Sequence, residues 1–165
     1  MPDPDQKTEY FRQSMRRFAA AVSIVSCKRN GARFGMTVTS AMALSFSPLS
    51  MLVCINKSAA MSDPLKSAGH YCINVLQSDH AAISRAFSGG LLHEKRFNAG
   101  VWAEANGVPY LLDAQTSLFC QVDQIIPYGT HDIVIGHVSD VHFVSTISPL
   151  IYQNGEYATT ALLST

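Results

Sequence analysis

The apolar positions near the start of the chain recur at helical spacing. Phe11, Met15, Phe18 and Ala19 predict an amphipathic helix over residues 8–20, with Thr8 as its cap. The pattern then changes to that of strands. Val22, Ile24 and Val25 predict a strand over 21–28, Asn30-Gly31 supplies a tight turn, and 34–44 continues as a second strand. Ser47-Pro48 interrupts the pattern. Residues 49–55 are almost continuously apolar, as in a central strand covered on both faces. Asp63-Pro64 suits the first turn of a short helix that Gly69 ends. Another strand is expected over 71–76, followed by a helix from Ser78 to Phe87 that Gly89-Gly90 closes. Residues 88–116 read as loop-rich, with Gly100, Gly107 and Pro109. Residues 117–126 and 133–144 form an expected long hairpin around Pro127-Tyr128-Gly129. A last strand near 150–152 leads through Asn154-Gly155 to a short final one.

This amounts to roughly seven strands at short spacing with three short helices. It predicts a single domain over 1–165, mainly β, built as a barrel with helices around it rather than as a doubly wound sheet. Composition agrees with a compact chain: 47% hydrophobic and only 15% charged residues. So little charge leaves apolar surface to hide, and a subunit interface is expected, with two-fold symmetry the default.

Lys plus Arg and Asp plus Glu both number 12, for a formal charge of +0. No basic excess is available to neutralise a polyphosphate backbone, so a nucleic-acid binder is not expected. Cys27, Cys54, Cys72 and Cys120 are widely separated and form no C-x-x-C pair. They read as free thiols in a reducing cytosol rather than as zinc ligands, and no metal site is expected. The start, Met1-Pro2-Asp3-Pro4-Asp5, is polar and acidic, unlike a signal peptide, and no apolar run is long enough to span a membrane.

Neither a Gly-rich dinucleotide fingerprint nor a phosphate loop is present, and the chain has no G-x-S-x-G elbow. An enzyme of this composition would rely on a cofactor for its chemistry. In Gly35-Met36-Thr37-Val38-Thr39-Ser40, alternation sets Thr37 and Thr39 on one face and Met36 and Val38 on the other. Such a segment is either a hydroxyl-bearing barrel surface or a polar edge that meets a flat heterocycle. Asn56-Lys57-Ser58-Ala59 directly follows the central strand, where a ligand phosphate or plain solvent could be met. Arg96-Phe97 could clamp a phosphate and cover a ring, although basic surface pairs are common. His131, in Gly129-Thr130-His131-Asp132, opens a strand after a turn and could line a pocket or stand in water.

Taken in order, these segments resemble the short-chain flavin reductases. The resemblance begins with Phe11-Arg12, Met15 and Ala20 to Val25, and continues through Gly35 to Ser40 and Leu52 to Ala59. It extends over Tyr71 to Leu76, Arg96-Phe97 and Gly129 to Asp132, and covers the chain from about Phe11 to Tyr157. It is strongest to reductase components of two-component flavin monooxygenases of the 4-hydroxyphenylacetate type. The family implies a Greek-key-like, FMN-binding split β-barrel, usually a homodimer, with NADH or NADPH as hydride donor and FMN or FAD as acceptor. By the same resemblance Met36, Thr37, Val38, Thr39 and Ser40 border the flavin ring. Asn56, Lys57, Ser58 and Ala59 hold the ribityl and phosphate, and Phe87, Arg96 and Phe97 close the other side. His131 takes the nicotinamide side as the one catalytic candidate, and Tyr157 lies at the pocket mouth. The family's usual Gly-Asp-His carries Thr130 in place of Asp here. Two other readings share the fold: a non-enzymatic flavin or haem binder, and an oxidase with tightly held flavin of the pyridoxamine-phosphate oxidase type.

Overall fold

A computed structural model describes residues 3–163; Met1 and Pro2 of the polar start lie outside them. The described residues form four helices and twelve strands. The first part of the chain comprises α1 (Pro4–Met15), β1 (Ala20–Ala21), β2 (Ser23–Arg29), β3 (Ala32–Val38), β4 (Ala41–Phe46) and β5 (Leu49–Asn56). Next come α2 (Ser62–Ala68), β6 (His70–Val75), α3 (Ala81–Phe87), α4 (His93–Arg96), β7 (Trp102–Ala105) and β8 (Val108–Leu111). The chain closes with β9 (Thr116–Tyr128), β10 (His131–Phe143), β11 (Ile151–Gln153) and β12 (Glu156–Ala158).

Seven strands make one antiparallel sheet in the order β3-β2-β6-β9-β10-β5-β4. The two edge strands, β3 and β4, are consecutive and joined only by Thr39 and Ser40. Three Cα–Cα steps span at most about 11 Å. The edges of a flat seven-stranded sheet would lie about 29 Å apart, at about 4.8 Å per spacing. The sheet must therefore curl until its edges nearly meet, which makes it a barrel. The Ser40 hydroxyl fastens the seam by donating to the Cys54 carbonyl on β5 at 2.9 Å.

The barrel is filled by Val25, Val38, Val53, Ile55, Tyr71, Ile73 and Val134, with Met61 and Leu65 contributed from around α2. A second core lies outside β2 and β3. There Ile24, Phe87, Phe97, Leu111 and Leu150 pack together. Residues 23–27 of β2 are buried on both faces, which accounts for their unbroken apolar run. One polar side chain ties the two regions. Asn74 is wholly buried; its amide donates to the Ile24 carbonyl and the Ser26 hydroxyl, and its oxygen accepts from the Leu111 N–H and the Ser117 hydroxyl.

Several expectations are corrected. The strand expected over 34–44 is two strands, because the chain leaves one sheet edge at Thr39 and joins the other at Ala41. The first helix starts at Pro4, and Thr8 lies in its second turn, donating to the Pro4 carbonyl rather than capping. Its expected apolar face is not buried: Phe11 is 64% exposed and Phe18, just past its end, 66%. Ser78 does not start α3, since its hydroxyl is paired with that of Ser148 at 2.7 Å and its N–H with the Ser148 carbonyl. The loop-rich stretch contains α4 and the β7–β8 hairpin, turned by Asn106-Gly107 with φ of 51° and 78°. The long hairpin turns at Gly129-Thr130, and β9 runs through Tyr128.

All four cysteines are free. Burial pushes the Cys27 and Cys120 thiols up to about 12, and that of Cys72 further in the same direction. No helix among the described residues is long and apolar enough to cross a membrane. Asn74→Ala is expected to cost about 3 kcal/mol, because it strands several buried partners at once; chemical denaturation with an unchanged slope checks this.

Candidate active site

Three segments from the expected set converge on one end of the barrel. β3 delivers Thr37 and Val38 there and then breaks at Thr39-Ser40. β5 ends at Asn56, and β10 begins at His131, whose Cα is the register partner of Asn56. Backbone and side chain join the last two: the Lys57 N–H donates to the Thr130 carbonyl at 3.0 Å, and Lys57 Nζ to the Gly129 carbonyl at 2.8 Å. Asn56 Oδ1 accepts from the N–H and the hydroxyl of Ser58 at 2.9 and 2.8 Å. The 56–59 loop is thus held in a fixed turn, with Lys57 and Ser58 exposed and Ala59 half-buried. Two of the three Lys57 ammonium donors remain for an anion.

The alternation read along β3 holds in space. Met36 and Val38 pack into the barrel core, while the Thr37 hydroxyl points the other way and donates to the Ser84 carbonyl at 2.7 Å. Beside it lies a cavity of about 230 Å³ lined by Thr37, Val38, Thr39, Ser84, Tyr152 and Tyr157. Tyr157 is half-buried at its edge and donates to Ser84 Oγ at 2.8 Å. The Arg85 guanidinium stands 5.1 Å from the centre of the Tyr157 ring. Local sequence patterning does not single out Ser84, Arg85, Tyr152 or Ser88, which also lines this cavity. The available signal is weak: Ser88, the C-cap of α3, follows Ser84 by one turn, and Tyr152 faces Tyr157 across the Asn154-Gly155 turn.

Phe87 and Phe97 sit elsewhere than a ring-covering role would suggest. They are 1% and 5% exposed and form the second core behind β3, where their rings meet edge to face at 5.1 Å. Arg96 is likewise spent on the backbone: its guanidinium donates to the Gly35 carbonyl at 2.9 Å and to the Leu91 carbonyl at 3.1 Å. These residues brace the strand from outside, and Gly35 makes the close packing possible. A Cβ there would lie 2.7 Å from the Phe87 ring and 3.4 Å from that of Phe97.

His131 is exposed at the mouth, and its Nδ1 lies 2.9 Å from the Thr130 hydroxyl, which leaves Nε2 for a ligand. The Thr130 hydroxyl therefore fixes the orientation of the His131 ring. Next to it Asp132, 3% exposed, pairs with Lys66 of α2 at 2.6 Å and anchors the start of β10.

Residues 15–161 match the family described as flavin reductase like domain. The chain belongs to the flavin reductase-like family. It is 38% identical over 157 residues to the reductase component of an FADH(2)-dependent resorcinol hydroxylase of Rhizobium sp. (strain MTP-10005), covering 93% of this chain and 88% of that protein. It is 35% identical over 148 residues to the FMN reductase (NADH) RutF of Pseudomonas syringae pv. syringae (strain B728a), covering 89% and 83%. Among solved structures, the flavin reductase PheA2 in its native state superposes with a TM-score of 0.85 at 30% identity, over 98% of this chain and 100% of that one. The family's barrel is therefore the one built here.

The residues at the mouth suit a flavin. The N–H groups of Thr39 and Ser40 make no hydrogen bond to a described residue, and Thr39 is exposed, so donors are set out for a flat ring edged with carbonyl oxygens. Gly35→Ala is expected to lower stability by about 1–3 kcal/mol through overpacking, and Phe87→Leu in the same chain to restore part of it; thermal melts of the single and double variants check this.

Proposed function

We propose that this chain is an NAD(P)H-dependent flavin reductase whose reduced flavin, FMN or FAD, is passed to a partner monooxygenase. The observation that carries the reading is the meeting of the unpaired Thr39-Ser40 link, the 56–59 loop and His131 at one barrel mouth. A flavin bound there accepts a hydride from reduced nicotinamide. Met36 to Ser40 present backbone to the ring, with Val38 closing the floor. Asn56, Lys57, Ser58 and Ala59 take the ribityl and phosphate. His131, held by Thr130, meets the nicotinamide, and Tyr157, held by Ser84, limits the pocket on the far side. Phe87, Arg96 and Phe97 act by holding β3 in place. The relatives named as the reductase component of a resorcinol hydroxylase and as an FMN reductase (NADH) support this assignment.

The pair of subunits expected from composition belongs to the same proposal. Edge strand β4 exposes Met42, Leu44 and Phe46, the last at 86%, with Leu49 beside them. An apolar edge of this kind is suited to cover by a second copy. Four unpaired thiols favour a reducing cytosol as the setting.

Steady-state oxidation of NADH and NADPH against FMN, FAD and riboflavin tests the reading. Oxidation that depends on added flavin is expected. A permanently yellow protein turning over without added flavin would favour the oxidase reading, and no oxidation with any flavin would leave a binder only. In His131→Ala the KM for the nicotinamide is expected to rise roughly fivefold, the loss of one contact worth about 1 kcal/mol, with the flavin KM within about twofold. Unchanged nicotinamide kinetics would remove His131 from the site.

A further inference from the structure

The end of β9 carries a large side chain that the assignment above leaves unused. Tyr128 is 78% exposed and belongs to none of the three cores. A single exposed aromatic is ordinary on a protein surface. Three features set this one apart.

The first is register. The Cα partner of Tyr128 is His131 on β10, and His131 is in turn the partner of Asn56 on β5. Directly opposed residues of antiparallel strands point to the same face of a sheet. Tyr128, His131 and Asn56 therefore form one row across three strands at the barrel mouth. At about 4.8 Å per strand spacing, the row is about 10 Å long. Asp132 and Val134, the alternate residues of β10, are buried, so the row lies on the outer face.

The second feature is rigidity. The Lys57 N–H holds the Thr130 carbonyl, the Lys57 ammonium holds the Gly129 carbonyl, and the Thr130 hydroxyl meets His131 Nδ1. The turn next to Tyr128 is thus fixed by contacts in which its own side chain takes no part. A ring carried on a fixed turn loses little freedom when a ligand settles on it. The third feature is access. β6 pairs with β9 only as far as Gln121, and the Val122 N–H goes to the Gly69 carbonyl. Among the described strands, β9 from 123 to 128 pairs with β10 alone, so no strand stands beyond the Tyr128 ring.

We propose that Tyr128 is a specificity-determining residue of the candidate site, an aromatic platform on which the nicotinamide ring of the donor lies while His131 Nε2 meets its carboxamide. The proposal rests on the reductase reading given above. A carboxamide offers both an oxygen and an NH2 group, so it satisfies Nε2 in either tautomer. The platform touches a face of the ring and holds no developing charge. It acts alike on the bound donor and on the transition state, and its contribution falls on the KM for the donor rather than on kcat.

Calorimetric titration of NADH into the full chain, without flavin, reads the platform without turnover. Tyr128→Ala is expected to weaken NADH about tenfold, the loss of one stacked ring. Tyr128→Phe keeps the ring and is expected to stay within about twofold of the wild type. With flavin added, the same loss is expected in the KM for NADH, with kcat and the flavin KM within about twofold. Coincident thermal melts are expected for the three proteins, because Tyr128 packs in no core. No saturable NADH binding by the wild-type chain up to about 10 mM, on the order of the weakest affinities worth assigning, would overturn the proposal. An equal loss in Tyr128→Phe, or a loss confined to the flavin, would do the same. Wild-type turnover of NADH with added flavin, matched by Tyr128→Ala, would remove the platform and leave the reductase reading intact. A wild-type chain that binds NADH, more weakly in Tyr128→Ala, yet reduces no flavin would refute the reductase reading and leave the platform standing.

Discussion

The link Thr39-Ser40 is the constraint on which the molecule depends. Its two residues must connect strands at opposite edges of a seven-stranded sheet, and only a rolled sheet permits that. The same demand accounts for the site. A residue that crosses from one edge to the other has no strand alongside it, so its backbone groups stay unpaired at the place where the barrel opens. Closing the sheet and exposing donors to a ligand are one geometrical event.

Support for that seam comes from both sides. Inside, Val38 packs with Val53 and Ile55. Outside, the aromatic pair Phe87 and Phe97 presses against Gly35, and Arg96 takes the Gly35 carbonyl. Asn74 ties the sheet to the β7–β8 hairpin by serving four partners on the three strands β2, β8 and β9. The polar interior is small, and each of those bonds is made within the protein.

Much of this was legible in the sequence. Asn-Gly turns and the Gly69 stop depend on local rules, and they appear where those rules put them. The apolar run of 49–55 is a strand but not a central one: β5 lies beside the edge strand β4, and only Ser50, Val53 and Ile55 of it are fully buried. The separation of Thr37 from Met36 and Val38 follows from strand alternation alone. What could not be read was pairing. Nothing local distinguishes one strand over 34–44 from two that belong to opposite sheet edges. Phe87 and Phe97 carry an aromatic signature that suits a ligand wall as well as a core, and only their packing against Gly35 decides between the two. Ser84 and Tyr152 escape local rules because their place in the site depends on a contact 73 residues apart in the chain and on where the short β11–β12 hairpin packs.

That hairpin has a further consequence. Tyr157 reaches Ser84 from β12 and packs against the second core, and β11 and β12 are joined to the rest through two residues of β1, the Asn154–Arg16 bond and the Gln153 amide on the Arg17 carbonyl. Strands so short and so lightly paired belong to the low-stability end of a protein. Their opening would remove Tyr152 and Tyr157 together and merge the cavity they line with solvent. The affinity of any ligand seated there thus contains the free energy of keeping the hairpin shut, and a ligand held against Tyr152 and Tyr157 would be felt as protection of the β11–β12 hairpin.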